Sequence, residues 1–227
     1  MIAQIENVQP RRAAILCHGF GAPGTDLVGL ADELAVCDPG LEEVAFIFPA
    51  APIEMEPGFD ARAWWPINFA MLEEMAARGE YRDLVESIPP GLADRRREIE
   101  QVIVEVRAEF ELPQQEIFVG GFSQGAMLTT DVFLEAEEPL GGLIAWSGTL
   151  LNRSRWKERA EAHRGLRVVQ SHGTLDPILP FSGATQLRDL FLTAGHSVDF
   201  VSFQGYHAIP GPALSAAARL LTSKATE

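Results

Sequence analysis

The chain has 227 residues, 47% of them hydrophobic and 22% charged, a balance that suits a folded globular protein and excludes a largely disordered one. Its formal net charge of -14 repels polyanions, which excludes nucleic acid and anionic membrane surfaces as partners. Cys17 and Cys37 stand outside any disulfide or metal spacing, no run is long enough to span a bilayer, and residues 1–12 hold no apolar stretch of signal-peptide length. The expectation is therefore a soluble, cytoplasmic chain, one domain over 1–227, without stable membrane insertion.

Residues 13–17 are almost wholly apolar and run into His18-Gly19-Phe20-Gly21, which predicts a strand covered on both faces and then a turn-rich loop. A helix is expected from Asp26 as its cap, with Leu27, Leu30, Ala31 and Leu34 on one face, and residues 44–48 give the next buried strand. Over about 51–91 the rhythm breaks into a cap-like insertion punctuated by Pro52, Pro57, Pro66, Pro89 and Pro90, with a short helix expected near 68–78. Two readings stand for its aromatics. They plug the insertion onto the body, or Trp64, Trp65 and Met71 wall an apolar substrate pocket.

Residues 92–110 give the clearest helix, with Leu92, Ile99, Val102, Ile103, Val106 and Phe110 on one stripe; Arg95, Arg96 and Arg97 are read as a solvated face among acidic neighbours. Strands follow at 117–119, 142–146, 166–171 and 198–203. Helices are expected at 126–136, from Ser182 as cap to Gly195, and at 212–221, while 151–164 reads as loop or weak helix. Strands alternating with helices predict an α/β fold, a mostly parallel central sheet with helices on both faces and functional groups at the carboxyl ends of the strands.

The sharpest local signal is Gly121-Phe122-Ser123-Gln124-Gly125, lying between a strand and a helix. Glycines flanking the serine permit a tight turn that exposes its Oγ as a nucleophile. Downstream, Asp176 sits just past a strand and His207 on the neighbouring loop, so the order Ser123, Asp176, His207 matches what such a turn requires of a base and its orienting acid. The N–H of Gln124 supplies one oxyanion donor, and the second is best assigned to Phe20 in the loop after the first strand. Rival assignments are His172 as the base, Asp189 or Asp199 as the acid, Cys17 as the nucleophile, and a metal site made by His18, His172, Asp176 and His207. His163 and His196 are expected to be solvated. No cofactor is called for.

With Leu16-Cys17-His18-Gly19-Phe20-Gly21, the Ser123 string, His172-Gly173-Thr174-Leu175-Asp176 and the His207 loop all in order, the chain resembles the phospholipase/carboxylesterase family of α/β-hydrolases, which includes acyl-protein thioesterases. The resemblance spans nearly the whole chain. It implies the α/β-hydrolase fold, a triad of Ser123, Asp176 and His207, oxyanion donors at Phe20 and Gln124, and an aromatic loop at Trp64-Trp65 beside the acyl pocket. Ala126 and Tyr206 depart from the family's usual glycines and bear on substrate class. The function expected is a serine hydrolase, that is, a carboxylesterase, thioesterase or lysophospholipase acting on short to medium acyl esters through an acyl-enzyme. Its partner is a small acyl ester or thioester, and exposed apolar loop residues permit a homodimer. The alternatives are a non-catalytic binding module and a metal-dependent hydrolase.

Overall fold

The structure is a computed structural model that describes residues 2–4, 9–56, 58–67 and 85–223. Its strands are β1 (Ile2–Gln4), β2 (Arg12–Cys17), β3 (Val44–Phe48), β4 (Ile53–Glu54), β5 (Arg62–Ala63), β6 (Ile117–Phe122), β7 (Gly142–Trp146), β8 (Arg167–Gly173) and β9 (Ser197–Phe203). The helices are α1 (Leu30–Cys37), α2 (Leu92–Phe110), α3 (Gln124–Glu135), α4 (Arg153–Ala162), α5 (Phe181–Thr193) and α6 (Gly211–Thr222). Seven strands form one sheet in the order β1-β3-β2-β6-β7-β8-β9, and β4 and β5 pair as a small separate ribbon.

All strands expected from sequence are present and run parallel to one another. The antiparallel β1, placing Ile2 opposite Phe48, was not foreseen, because three residues carry no readable period. Every residue of β3 and β7 is buried, as their unbroken apolar runs require of strands covered on both faces. Alternation along β2 divides the core. Ala13, Ile15 and Cys17 pack with residues of α2, α3, α4 and α5, whereas Ala14 and Leu16 pack with α1 and α6.

Three helix expectations change. Turns such as Leu30 N–H to Leu27 C=O carry the chain past Asp26, so α1 begins only after Gly29. Pro180 rather than Ser182 precedes α5, where its fixed φ suits the entry to a helix. The charged segment expected to be loop or weak helix contains α4, held by just two buried residues, Trp156 and Ala160. The helix expected near 68–78 lies outside the described residues. The boundaries of α2 coincide with the expectation, its buried stripe being Leu92, Ile99, Ile103 and Val106.

Candidate active site

From β2 the chain moves to β3 on one side of the sheet, and β6 then joins the other side of β2. The strand order thus reverses between β2 and β6, and the crevice at their carboxyl ends is where open α/β sheets place their chemistry. Cys17 is paired with Gly121 in register, so His18-Gly19-Phe20 and Ser123 leave the sheet side by side. A Cβ built on Gly19 would lie 3.5 Å from Ser123 Cβ.

Ser123 stands at φ 55°, ψ -115°, a strained conformation for a residue with a side chain, which typically costs about 1–3 kcal/mol. Its N–H donates to Trp146 C=O at 2.9 Å, and its own C=O accepts from Met127 N–H at 3.1 Å, so sheet and helix together enforce the turn. Gly125 must lack a side chain because a Cβ there would overlap the Cys17 carbonyl oxygen. Ser123 is partly exposed, whereas α3 is buried from Gln124 to Leu134. The Ser123 side chain thus lies at the start of the most enclosed of the described helices, itself partly open to solvent.

Asp176 and His207 meet as expected: His207 Nδ1 lies 2.6 Å from Asp176 Oδ2. Asp176 Oδ1 accepts from the N–H groups of Ile178 at 2.9 Å and Leu179 at 3.0 Å. Burial opposes ionisation of this carboxyl, but the donors from His172, His207, Leu179 and Ile178 overcome it and hold the group well below the usual carboxylate range. Two backbone bonds, Thr174 N–H to Phe203 C=O and Leu175 N–H to Gly205 C=O, zip the acid's loop to the histidine's loop. That contact is close enough that a Cβ on Gly173 would overlap the carbonyls of Gly205 and Tyr206. The Phe122 ring, 4.7 Å from the imidazole, brings His207 against the residue preceding Ser123. Ser147, at φ 50° directly after β7, donates from Oγ to Ala208 C=O at 3.1 Å and so anchors the histidine's loop from below.

The loop after β2 is braced by contacts that the sequence did not announce. His18 is buried; its Nδ1 lies 2.8 Å from Gly19 C=O and its Nε2 accepts from Ala51 N–H at 3.0 Å, which assigns the proton to Nδ1. Burial shifts its titration downward, in keeping with a neutral bracket. Trp64 Nε1 donates to His18 C=O at 2.9 Å. The fully buried Gln124 side chain completes the frame, its Oε1 accepting from Trp64 N–H at 2.9 Å and its Nε2 donating to Trp65 C=O at 2.8 Å. Gln124 thus fastens the insertion to the residue next to the serine. Phe20 is partly exposed in the same loop.

The pocket expectation for the tryptophans needs correction: Trp64 is 2% exposed and Trp65 4%, and both pack in the core with Cys17 and Ala51. Their indole surface is spent on the body, which is the plug reading. Met71 lies outside the described residues. Of the two departures from the family pattern, Ala126 is buried against Gly148, and Tyr206 is 69% exposed beside His207. Cys17 is enclosed and burial pushes its thiol upward, away from a nucleophile's range. Asp189 and Asp199 are taken up at the surface by Arg188 and Arg219.

His196 is not solvated as expected; it is 5% exposed, bonded to Ala160 C=O at 2.8 Å and Leu166 N–H at 3.3 Å. His163 is partly buried and reaches Leu134 C=O at 3.0 Å. Arg96 likewise leaves the solvated face to bond the buried Asp131 at 2.9 Å, and Asp131 also accepts from Trp156 Nε1 at 2.7 Å. Despite these donors, burial raises the Asp131 titration. Among the described residues no three His, Cys, Asp or Glu side chains are grouped to hold a metal ion, and no helix is long and apolar enough to cross a membrane.

Compared with known proteins, residues 2–224 match the pattern of one family, described as phospholipase/carboxylesterase. The chain belongs to the phospholipase/carboxylesterase family. It is, with that family, an enzyme that acts on esters. Among curated relatives, acyl-protein thioesterase 1 of Eremothecium gossypii is 31% identical over 189 residues, covering 81% of this chain and 74% of that protein. The acyl-protein thioesterase 1 homolog 1 of Dictyostelium discoideum is 26% identical over 202 residues, covering 86% and 83%. Among solved structures, esterase PE8 superposes with a TM-score of 0.75 at 23% identity, covering 93% and 92% of the two chains. The Bacillus cereus carboxylesterase does so with a TM-score of 0.68 at 18% identity, covering 97% and 92%. These structures establish the α/β-hydrolase fold.

Proposed function

We propose that Ser123, His207 and Asp176 form a catalytic triad that hydrolyses carboxylic esters and thioesters of short to medium acyl groups. The observation that carries this reading is the 2.6 Å bond from His207 Nδ1 to Asp176, at the mouth of a strained turn that exposes Ser123. With Nδ1 occupied, Nε2 is the nitrogen that takes the Ser123 proton as Oγ attacks the acyl carbon. The N–H groups of Phe20 and Gln124 receive the oxyanion, each worth about 3 kcal/mol of transition-state stabilisation. The acyl–oxygen or acyl–sulfur bond then breaks, His207 returns the proton to the leaving alcohol or thiol, and water releases the acid by the same steps in reverse.

The surroundings favour an apolar acyl group. Leu175, Ile178 and Tyr206, which flank Asp176 and His207, are 52%, 57% and 69% exposed, and Met55 stands beside Gly21 of the oxyanion loop. In this reading the chain is a single domain whose insertion over about 51–91 caps the acyl site. The relatives named as acyl-protein thioesterases favour including thioesters.

Incubation with a fluorophosphonate followed by intact mass and peptide mapping tests the proposal. One adduct on Ser123 is expected, and Ser123→Ala loses hydrolysis by about 10⁴-fold or more while remaining folded. Folded protein that takes no label at Ser123 would move the chain to the binding-module reading.

A further inference from the structure

His172 is a second imidazole on the acid of the triad. It is the penultimate residue of β8, is fully buried, and its Nε2 lies 2.8 Å from Leu179 C=O and 3.3 Å from Asp176 Oδ2. A carbonyl only accepts, so Nε2 carries the hydrogen. That N–H is therefore shared between Leu179 and the carboxylate oxygen that also receives His207 at 2.6 Å. The opposite nitrogen, Nδ1, is buried with no hydrogen-bond partner, which matches a ring holding its one proton on Nε2.

The contacts form a closed loop. Asp176 Oδ1 takes the N–H groups of Ile178 and Leu179, while His172 takes the far carbonyl of the same turn and touches the other carboxylate oxygen. Between them, the plane of the carboxylate is held from both edges. Resting on the triad proposed above, we infer that His172 is a positioning residue for the reaction: it fixes the rotation of the Asp176 carboxylate so that Oδ2 meets His207 Nδ1.

The donor also has an electrostatic effect of definite sign. Its positive end faces the oxygen that attracts the His207 imidazolium, so removing it leaves Oδ2 a stronger partner for protonated His207. The acid limb of the pH–rate profile then moves to higher pH, even as the loosened carboxylate lowers the maximal rate. Among the described residues, Asp176 is the ionisable side chain that His172 contacts, and His207 is the other one that Asp176 contacts. From α5 the neighbour is the uncharged Phe181 ring at 6.2 Å.

Three variants test this. His172→Phe keeps a ring but has no donor; His172→Asn carries an amide too short to reach Asp176; His172→Gln places an amide N–H near the Nε2 position. Expected for Phe and Asn is a kcat about 10-fold or more below wild type, KM within about 2-fold, and an acid limb shifted upward, with Gln restored to within about 3-fold. Thermal melting is recorded for each, and if Phe does not fold, the Asn and Gln pair decides. Donor-free variants with wild-type kcat and an unmoved acid limb overturn the inference, as does equal impairment of all three with an unmoved limb, which is a packing effect alone. Wild-type protein that is not labelled at Ser123 fails the triad itself and takes this inference with it, so the two failures are separate results.

Discussion

Replacing Asp176 by Asn removes one charge and hardly any volume, which makes it the most discriminating single change at the site. The amide must choose which atom replaces which oxygen. Two backbone donors at 2.9 and 3.0 Å claim the acceptor at the Oδ1 position, so the NH₂ group is forced to face His207. There it meets Nδ1, which must become an acceptor, and the ring's proton moves to Nε2, the nitrogen that receives the serine proton in the proposed mechanism. The reverse orientation points the NH₂ at two buried N–H groups and leaves donors unsatisfied at about 1–3 kcal/mol each, so the amide does not escape that way. A wrong tautomer combined with loss of the charge that stabilises the imidazolium costs about 10³–10⁴ in kcat, roughly 4–5.5 kcal/mol. Steady-state hydrolysis of a p-nitrophenyl ester is the assay, with KM expected to change little because Asp176 is screened from substrate. Equilibrium unfolding against pH supplies an independent reading. The folded carboxyl is depressed below its ordinary 3.8, so wild type holds a stability increment above that pH and loses it as pH falls through and below it. Asp176→Asn should lack this loss. A variant that retains kcat within tenfold of wild type would refute the role given to the charge.

Ser147→Ala deletes the bond to Ala208 C=O and should lower kcat about 3- to 10-fold by loosening the His207 loop, measured beside an unchanged rate for a substrate-independent property such as refolding. Gln124→Leu keeps its backbone N–H but strands Trp64 N–H and Trp65 C=O, so chemical denaturation should show a loss of about 2–4 kcal/mol together with reduced activity. His196 is depressed from 6.5 by burial, which means the unfolded chain binds its proton first and stability falls as pH drops below 6.5. His196→Gln, able to keep the bonds to Ala160 and Leu166, should shrink that fall by up to about 1.4 kcal/mol per pH unit, read from urea midpoints between pH 7 and pH 5.

The parallel strands were legible because burial on both faces writes an unbroken apolar run, as at Val44–Phe48, and because α2 carries its stripe over five turns' worth of sequence. The meeting of Asp176 with His207, and the place of Ser123 beside the loop after β2, were legible for a different reason: a strand-end position is local, and the strand order brings such ends together. What escaped the sequence is whatever depends on a distant partner. Gln124 reaches residues 60 and 59 positions away, and Arg96 finds Asp131 across a helix pair, and no local pattern announces either. His196 looked exposed because a residue after a helix end ordinarily is; the packing of α4 against it closes the site from outside its own segment. The same blindness explains α4, whose charges pair with Glu135 rather than with an apolar groove.

Gln124 belongs to two assemblies at once. Its backbone stands beside the serine, while its amide grips Trp64 and Trp65, and Trp64 in turn grips the carbonyl of His18. Three stretches of chain far apart in sequence are therefore seated together around the oxyanion donors proposed above. Backbone bonds to Trp146 and Met127 present the Ser123 hydroxyl, whereas the Gln124 side chain seats the tryptophans next to it, so the turn and its surrounding frame are secured separately and meet at one residue.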